Sequence, residues 1–150
     1  QSILGFNYRL SDIHAALGIS QLKRLKEFVD RRNLLSSIYD EALDCLPVKR
    51  QLVPKYAMSS RHLYIIRVPQ KNHRDLFEMF HDNNIYVNVH YIPVHLQPYY
   101  QKFGFKKGDY NEAEKYSLEA ISLPIFPSLT EEEQNRVIDI LKCFNWKGDI

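Results

Sequence analysis

The longest periodic run of hydrophobic positions lies at the start of the chain. Apolar residues recur every three or four positions over 10–46, which is the spacing of one helical face. Ser11 suits the N-cap of such a helix, and Pro47 ends the pattern. The spacing predicts one helix over about 12–45, roughly 50 Å long at 1.5 Å per residue, in which Gly18 marks a bend or a close approach. So long a helix exceeds what a small domain can cover, so part of one face should pack on something absent from this chain.

Three later segments are predicted to be β-strands. Residues 62–68 (HLYIIRV) are a β-branched and aromatic run, and residues 121–124 (ISLP) are a short strand that Pro124 ends. Residues 85–92 (IYVNVHYI) alternate, so their odd-numbered and even-numbered side chains should point to opposite sides. Residues 49–61 are interpreted as a connecting loop.

Three further helices are predicted among these strands, each with candidate capping residues. These are Asn72, the pair Asn111 and Glu114, and the pair Thr130 and Glu133. The elements together predict an α+β fold: a long N-terminal helix followed by a small β-α-β-α-β-α layer.

Composition and charge narrow the class of protein. The chain has 150 residues, 45% of them hydrophobic and 25% charged, which is typical of one soluble globular domain. A net charge of +2 gives no reason to expect nucleic acid, and no apolar stretch approaches the length of a membrane span. Cys45 and Cys143 are predicted to be reduced, partly buried thiols, which favours a cytoplasmic protein. The chain does not begin with methionine, so residue 1 need not be the start of the protein.

The densest cluster of polar and aromatic residues is the segment 88–100 (NVHYIPVHLQPYY). His90 and His95 are five positions apart across a proline turn, without a cysteine or carboxylate nearby, so no metal site is predicted. Two interpretations stay open. The tyrosine rings could fill a core, with their hydroxyls satisfied locally. Alternatively, Pro93 and Pro98 could stiffen a strand end whose His and Tyr side chains face a sugar or a base.

A second candidate site precedes the first helix, at Asn7, Tyr8 and Arg9. These residues could simply cap the helix and cover its surface. They could also bind an anion beside the exposed amides of the helix N-terminus. The chain has no nucleophile elbow, Walker loop or G-x-G-x-x-G motif. Its residues alone therefore indicate a small binding domain with an edge suited to phosphate or sugar.

Three ordered motifs resemble those of the DegT/DnrJ/EryC1/StrS sugar aminotransferases. GFNYRLSDIHAALGISQLKRL is similar to their G-x-N-[YF]-R-[ML]-x-[DE] stretch, and VNVHYIPVHLQPYYQKFGF resembles their H-Y-x-P-x-H-x-x-P-Y segment. AEKYSLEAISLPIFPSLTEEEQNRVIDIL resembles their closing S-L-P-x-[FY]-P-x-L run. Within the family, the H-Y-I-P-x-H-L-Q-P-Y-Y motif most resembles that of the transaminases that aminate a UDP-linked 4-keto-6-deoxy-HexNAc on the route to pseudaminic acid.

The resemblance implies a cytoplasmic, homodimeric, pyridoxal-phosphate-dependent enzyme of fold type I. The Schiff-base lysine of such enzymes lies in a large N-terminal domain that this chain lacks. Residues 1–46 would form an interdomain and dimer-interface helix, and residues 47–150 the C-terminal small domain. The chain would then begin in mid-protein and be inactive alone. In the complete enzyme, an amino group from glutamate would pass by way of the cofactor to C4 of the keto sugar.

The resemblance also assigns binding roles, but no catalytic residue. Asn7 and Arg9 would contact the cofactor across the dimer interface, with Tyr8 beside the cofactor phosphate or the substrate phosphates. The residues expected to line the sugar-nucleotide side are His90, Tyr91, His95 and Tyr99. An alternative from another class is a stand-alone, non-catalytic domain that binds a nucleotide sugar or a partner protein.

Overall fold

The computed structural model describes residues 8–148, and its N-terminal segment forms two helices. Helix α1 spans Asp12–Leu22, and helix α2 spans Leu25–Ala42. Between them the Arg24 N–H donates to the carbonyl of Gln21 at 3.0 Å, a three-residue step that interrupts the four-residue ladder. The prediction of one helix over 12–45 is therefore wrong.

Packing explains where this interruption falls. No glycine or proline lies between positions 19 and 46. Helix α1 has no buried residue, whereas α2 buries Leu35, Ser36 and Tyr39. The interruption thus separates the part of the chain that has no contact with the core from the part that enters it. Gly18 lies inside α1, and a Cβ added there would meet nothing within 4 Å among the described residues, so it marks neither a bend nor a close approach in this part of the chain.

The strands found within residues 8–148 form one four-stranded antiparallel sheet. Strands β1 (Lys49–Arg50), β2 (Tyr64–Arg67), β3 (Asn88–Val89) and β4 (Ala120–Leu123) lie in the order β1-β2-β4-β3. Strand β1 corrects the interpretation of 49–61 as a loop throughout, because two paired residues are too few to leave a hydrophobic pattern. Pro124 ends the last strand as predicted.

The predicted alternation over 85–92 holds only for its first half. Ile85 and Val87 are buried and Tyr86 is exposed, but Val89 is 39% exposed and Tyr91 80% exposed. The backbone leaves the sheet after Val89, so side chains beyond it no longer have a core face to point towards.

Four further helices complete the described fold, with a 3₁₀ turn at Val94–Leu96. They are α3 (Gln70–Asp82), α4 (Pro98–Gln101), α5 (Asn111–Glu119) and α6 (Glu131–Cys143). The mixture of helices with a small antiparallel sheet is confirmed. The simple β-α-β-α-β-α order is not, because β1, the 3₁₀ turn and α4 interrupt it.

The predicted caps have mixed outcomes. Ser11 caps α1, and Thr130 and Glu133 form a reciprocal capping box on α6. Asn72 is not a cap. It is buried inside α3, where its side-chain amide exchanges two hydrogen bonds with the backbone of Lys147. Asn111 and Glu114 do not form a capping pair either, because α5 begins at Asn111 and no side-chain hydrogen bond caps it.

The core lies on one side of the sheet. Tyr64 and Ile66 of β2 share this side with Ile121 and Leu123 of β4, and α2, α3 and α6 cover it. Ile65, Arg67, Ala120 and Ser122 share the opposite side, which is called the open face below.

Two predictions about the surface have different outcomes. Cys45 and Cys143 are exposed, not partly buried as predicted: Cys45 lies in the turn that follows α2, and Cys143 is the last residue of α6. No helix among residues 8–148 has the length and apolar character needed to cross a membrane.

Candidate functional site

The first histidine of the segment 88–100 is fixed on the open face of the sheet. His90 follows β3, and its Nε2 lies 2.5 Å from Oγ of Ser122 on the neighbouring strand β4. Partial burial lowers the pKa of His90 below its ordinary value. The ring is therefore a neutral, oriented hydrogen-bonding group at neutral pH. No local pattern in the sequence marks Ser122, because strand pairing decides which residue faces His90.

A row of polar and aromatic side chains continues along the open face. The ring of Tyr116 lies 6.2 Å from that of His90, and the guanidinium of Arg67 lies 5.8 Å from the Tyr116 ring. Arg67 donates from Nε and Nη2 to Oε2 of the buried Glu119, at 3.0 and 2.6 Å. This ion pair is charge-assisted and orients Arg67. A depression of about 330 Å³ beside it is lined by Lys49, Arg50, Gln51, Ile65, Arg67 and Tyr116.

The tyrosines of the segment do not fill a core. Tyr91 packs edge-on to His90, with ring centroids 5.7 Å apart, and its own ring is mostly exposed. Tyr99 is also exposed and packs against Tyr100 and Phe103. The interpretation of these rings as core filling is therefore wrong for Tyr91 and Tyr99. An exposed ring held by neighbouring aromatics is available to contact a ligand.

The second histidine lies in a different cluster. His95 is only 7% exposed, and its Nε2 lies 2.9 Å from Oε1 of Glu114. The same oxygen accepts a hydrogen bond from the Gly108 N–H at 2.7 Å. These two bonds lower the pKa of Glu114. Asn111 is the first residue of α5 rather than its cap, and Glu114 joins three segments instead of closing a capping box.

The residues ahead of α1 stand apart from both clusters in the sequence and are exposed. Tyr8 and Arg9 immediately precede the N-cap Ser11. Asn7 lies outside the described residues. The structure thus brings His90 and Tyr91 together, and holds His95 separately through Glu114.

Neither a metal site nor a Schiff-base lysine is found among the described residues. No group of three or more His, Cys, Asp or Glu side chains in the range 8–148 could hold a metal ion. All lysines of the chain are exposed. A lysine that forms a Schiff base is usually activated by desolvation or by a neighbouring cation. The described residues therefore do not fit the covalent site of pyridoxal phosphate.

Comparison of the sequence with known proteins identifies one family. The DegT/DnrJ/EryC1/StrS aminotransferase family matches residues 1–142. The spore coat polysaccharide biosynthesis protein SpsC of Bacillus subtilis is 34% identical over 145 residues, covering 92% of this chain. The match covers 37% of SpsC, so this chain spans little more than a third of that relative.

Solved structures of sugar aminotransferases share the fold. The protein DesV of S. venezuelae, solved with a ketimine intermediate, has a TM-score of 0.87 at 29% identity, with 94% of this chain and 38% of that chain covered. The putative sugar aminotransferase Spr1654 of Streptococcus pneumoniae in its PLP-form has a TM-score of 0.83 at 29% identity, with 89% and 35% covered. PseC of Helicobacter pylori, an aminotransferase of pseudaminic acid biosynthesis, has a TM-score of 0.80 at 28% identity, with 95% and 40% covered.

The family and its solved structures indicate the same cofactor, pyridoxal phosphate. Aminotransferases of this family bind pyridoxal phosphate, and Spr1654 is known in PLP-form and PMP-form structures. The family match extends over all three motifs quoted from the sequence and over both histidine clusters. This chain belongs to the DegT/DnrJ/EryC1/StrS aminotransferase family.

Proposed function

We propose that this chain is the C-terminal part of a pyridoxal-phosphate-dependent nucleotide-sugar aminotransferase. The complete enzyme transfers an amino group, from glutamate, to a UDP-linked 4-keto-6-deoxy sugar in surface-polysaccharide or glycan biosynthesis in the cytoplasm. The observation that carries this proposal is the family match over residues 1–142. The relatives are much longer than this chain, which covers 37% of SpsC. The more specific proposal is that the complete enzyme acts in pseudaminic acid biosynthesis, which is supported by the H-Y-I-P motif and by the similarity to PseC.

His90 and Tyr91 are proposed to contact the sugar of the substrate. The neutral ring of His90, held by Ser122, can form a hydrogen bond to a hydroxyl or carbonyl group without adding charge. The exposed ring of Tyr91 supplies an apolar surface and a hydroxyl beside it. Tyr99 and His95 complete the proposed sugar-nucleotide side. When bound, pyridoxal phosphate supplies the electron sink, and these residues bind and orient the sugar.

The residues ahead of α1 are proposed to serve the phosphates. Arg9 offers a planar, permanently charged donor set, and Asn7 an amide that can donate to a phosphate oxygen. Tyr8 would lie beside them, near the cofactor phosphate or the substrate phosphates. In the proposed homodimer, α1 packs on the remainder of the enzyme and on the partner subunit, which accounts for its lack of buried residues here.

Trapping of the cofactor tests whether the chain has its own covalent site. We expect that the 150-residue chain, mixed with pyridoxal phosphate and reduced with borohydride, gains no stoichiometric adduct, because all of its lysines are exposed. The complete enzyme, treated identically, should gain one adduct per subunit on a lysine outside this chain. A stoichiometric adduct at one lysine of the chain would overturn the proposal that the covalent site lies outside this chain.

The activity itself is tested with the complete enzyme, glutamate and a UDP-linked 4-keto-6-deoxy sugar, by following the aminated sugar with mass spectrometry.

Asn7→Ala and Arg9→Ala should each raise the dissociation constant of cofactor or substrate about tenfold to a hundredfold, because a hydrogen bond to a charged group contributes about 1.5–3 kcal/mol. Arg74→Ala is the matched control, since Arg74 is exposed and pairs with Glu78 of its own helix. Unchanged affinities with normal melting would return Asn7 and Arg9 to a capping role.

The alternative is a stand-alone domain that binds a nucleotide sugar or a partner protein without catalysis. The exposure of every lysine is the observation that favours it. The reading frame upstream of residue 1 separates the two proposals. A continuous frame with a lysine motif supports the enzyme, and a start codon directly before residue 1 supports the stand-alone domain.

A further inference from the structure

The depression beside Arg67 on the open face contains a pair of like charges. Strand β1 pairs with β2 so that Lys49 lies directly opposite Arg67, and both residues line the depression. Residues directly opposite in an antiparallel pair point to the same side of the sheet, with Cβ atoms about 4.5–5.5 Å apart. Like charges in this position destabilise a strand pair. An anion bound between the two side chains would remove that repulsion.

The carboxylate of Glu119 balances only part of this positive charge. Its Oε2 accepts from both Nε and Nη2 of Arg67, and its Oε1 lies 4.0 Å from Nζ of Lys115. With Lys49 beside them, three positive charges lie next to one negative charge. Within residues 8–148, the side chain of Lys49 has no hydrogen bond or ion pair, and Nη1 of Arg67 has no acceptor. Two cationic groups of the depression therefore keep free donors for a ligand.

Apolar groups lie beside these donors. Ile65 is two residues before Arg67 on β2, so its side chain shares the open face, and it lines the depression. Tyr116 also lines it, with its ring 5.8 Å from the guanidinium of Arg67. Arg50 lines the depression too, but its guanidinium already donates to Asp44 at 2.9 Å. The ligand that matches this surface combines an anionic group with an apolar body.

We infer that this depression binds a small carboxylic acid with an apolar body. Its carboxylate lies between Lys49 and Arg67, because the planar guanidinium matches a pair of carboxylate oxygens. Its body packs on Ile65 and Tyr116. An amino acid matches the site less well, since the same cations repel its ammonium group. No residue of the segment 88–100 lines the depression, so the inference goes beyond the proposed function and requires neither the cofactor nor the sugar.

Titration of the chain at neutral pH, followed by amide NMR spectra, tests the inference with four probes. Benzoate carries a carboxylate and an apolar ring, benzamide has the same shape without the charge, acetate lacks the ring, and glutamate adds an ammonium group. We expect benzoate to shift the amide signals of Lys49, Gln51 and Arg67. Benzamide should bind about tenfold more weakly, because it forms no charge-assisted hydrogen bond. Acetate should bind about threefold to tenfold more weakly through loss of ring packing, and glutamate no more tightly than acetate.

Two substitutions of Lys49 probe the site from the protein side. Lys49→Gln removes one of the two cations and should weaken benzoate binding about tenfold. Lys49→Glu places a carboxylate opposite Arg67, so it should abolish benzoate binding and raise the Tm of the chain, since opposite charges replace like charges in the strand pair. Lys55→Gln is the matched control, because Lys55 is exposed in the loop after β1 and does not line the depression. Circular dichroism establishes that each variant folds.

Any of three results would overturn this inference. The first is that benzoate leaves the amide signals of Lys49 and Arg67 unshifted, which would leave Lys49 as a charge that protects an edge strand from aggregation. The second is benzoate binding that is matched by benzamide or unchanged in Lys49→Gln, which would exclude the charge pair as the binding group. The third is tighter binding of glutamate than of benzoate, which would assign the depression to an amino acid. Amino transfer by the complete enzyme is measured separately, so the proposed function can survive each of them.

Discussion

Helices α1 and α6 have similar local sequence signals and opposite surroundings. Six of the eleven residues of α1 are apolar, compared with five of the thirteen residues of α6. Both helices begin at a hydroxyl N-cap, Ser11 or Thr130. Yet α6 buries five residues, and α1 buries none. Apolar content therefore does not predict which helix belongs to the core.

The arrangement of apolar residues and the partners available explain this difference. In α6, Val137, Ile138 and Leu141 form a stripe that faces α2 and α3. In α1, Ile13 and Leu17 form part of a comparable stripe, but no described element covers it. An exposed apolar stripe of this kind usually marks an interaction surface.

The largest expected difference between the two helices concerns their leucines. Leu141→Ala should lower the free energy of unfolding by about 2–5 kcal/mol, because it leaves a cavity in the core. Leu17→Ala should change it by less than about 0.5 kcal/mol, since Leu17 is largely exposed. Urea unfolding of the two variants measures both values. Similar losses in both would mean that α1 packs on the core in solution.

Removal of the N-cap should also destabilise the protein more at α6 than at α1, but the difference should be smaller than for the leucines. Thr130→Ala should cost about 1 kcal/mol, because it removes the hydroxyl that accepts the Glu133 N–H on a helix that unfolds with the core. Ser11→Ala should leave global unfolding unchanged, since α1 can fray without exposing the core. Hydrogen exchange provides the local readout, with protected amides in α6 and weakly protected amides in α1. Strong protection of α1 in the monomeric chain would contradict this contrast.

The third prediction concerns the clamp that His95, Gly108 and Glu114 form through hydrogen bonds to the Glu114 carboxylate. Hydrogen bonds to the ionised carboxylate hold the pKa of Glu114 below its ordinary value of 4.5. The stability it contributes is therefore present above about pH 4.5 and is lost as the pH falls through the lower, folded-state value. Glu114→Gln should remove this part of the acid dependence of Tm, whereas Glu112→Gln, at an exposed position of the same helix, should retain it. Identical acid profiles for the wild type and Glu114→Gln would refute the clamp.

The smallest change in stability is expected from charges on α1. Replacing Ile13 and Leu17 together by lysine should alter unfolding by less than about 0.5 kcal/mol, but should reduce self-association of the chain. Sedimentation velocity over a range of concentrations measures association, and the control replaces Ser20 and Gln21, exposed polar residues of the same helix, by lysine. A wild-type chain that stays strictly monomeric at high concentration would show that this stripe is no interaction surface for a second copy.

Local sequence signals correctly predicted several elements of the fold. The Thr130 and Glu133 box and the stop at Pro124 are short-range features, so they are present in the sequence itself. The break at Arg24 and the two-residue strand β1 were missed, because each depends on which neighbour the backbone meets. Asn72 was misassigned for the same reason: its hydrogen-bonding partner, Lys147, is 75 residues away.

The candidate site was likewise predictable only where its features are local in the sequence. The sequence pointed to the segment 88–100 through its density of histidine and tyrosine. It did not separate His90 from His95, because their partners Ser122 and Glu114 lie 32 and 19 residues away. Whether the tyrosine rings filled a core or faced outwards was open for the same physical reason, since a short polar-aromatic run can do either.

The sequence by itself determined the family, the mixture of helices and strands, and the caps of α1 and α6, because these depend on motif order, hydrophobic period and contacts three or four residues apart. Only the tertiary structure decided which helix is buried, which serine orients His90 and which carboxylate holds His95. Those outcomes depend on strand pairing and packing between residues that are distant along the chain. Hydrophobic periodicity specifies an apolar face, but not the surface that will cover it.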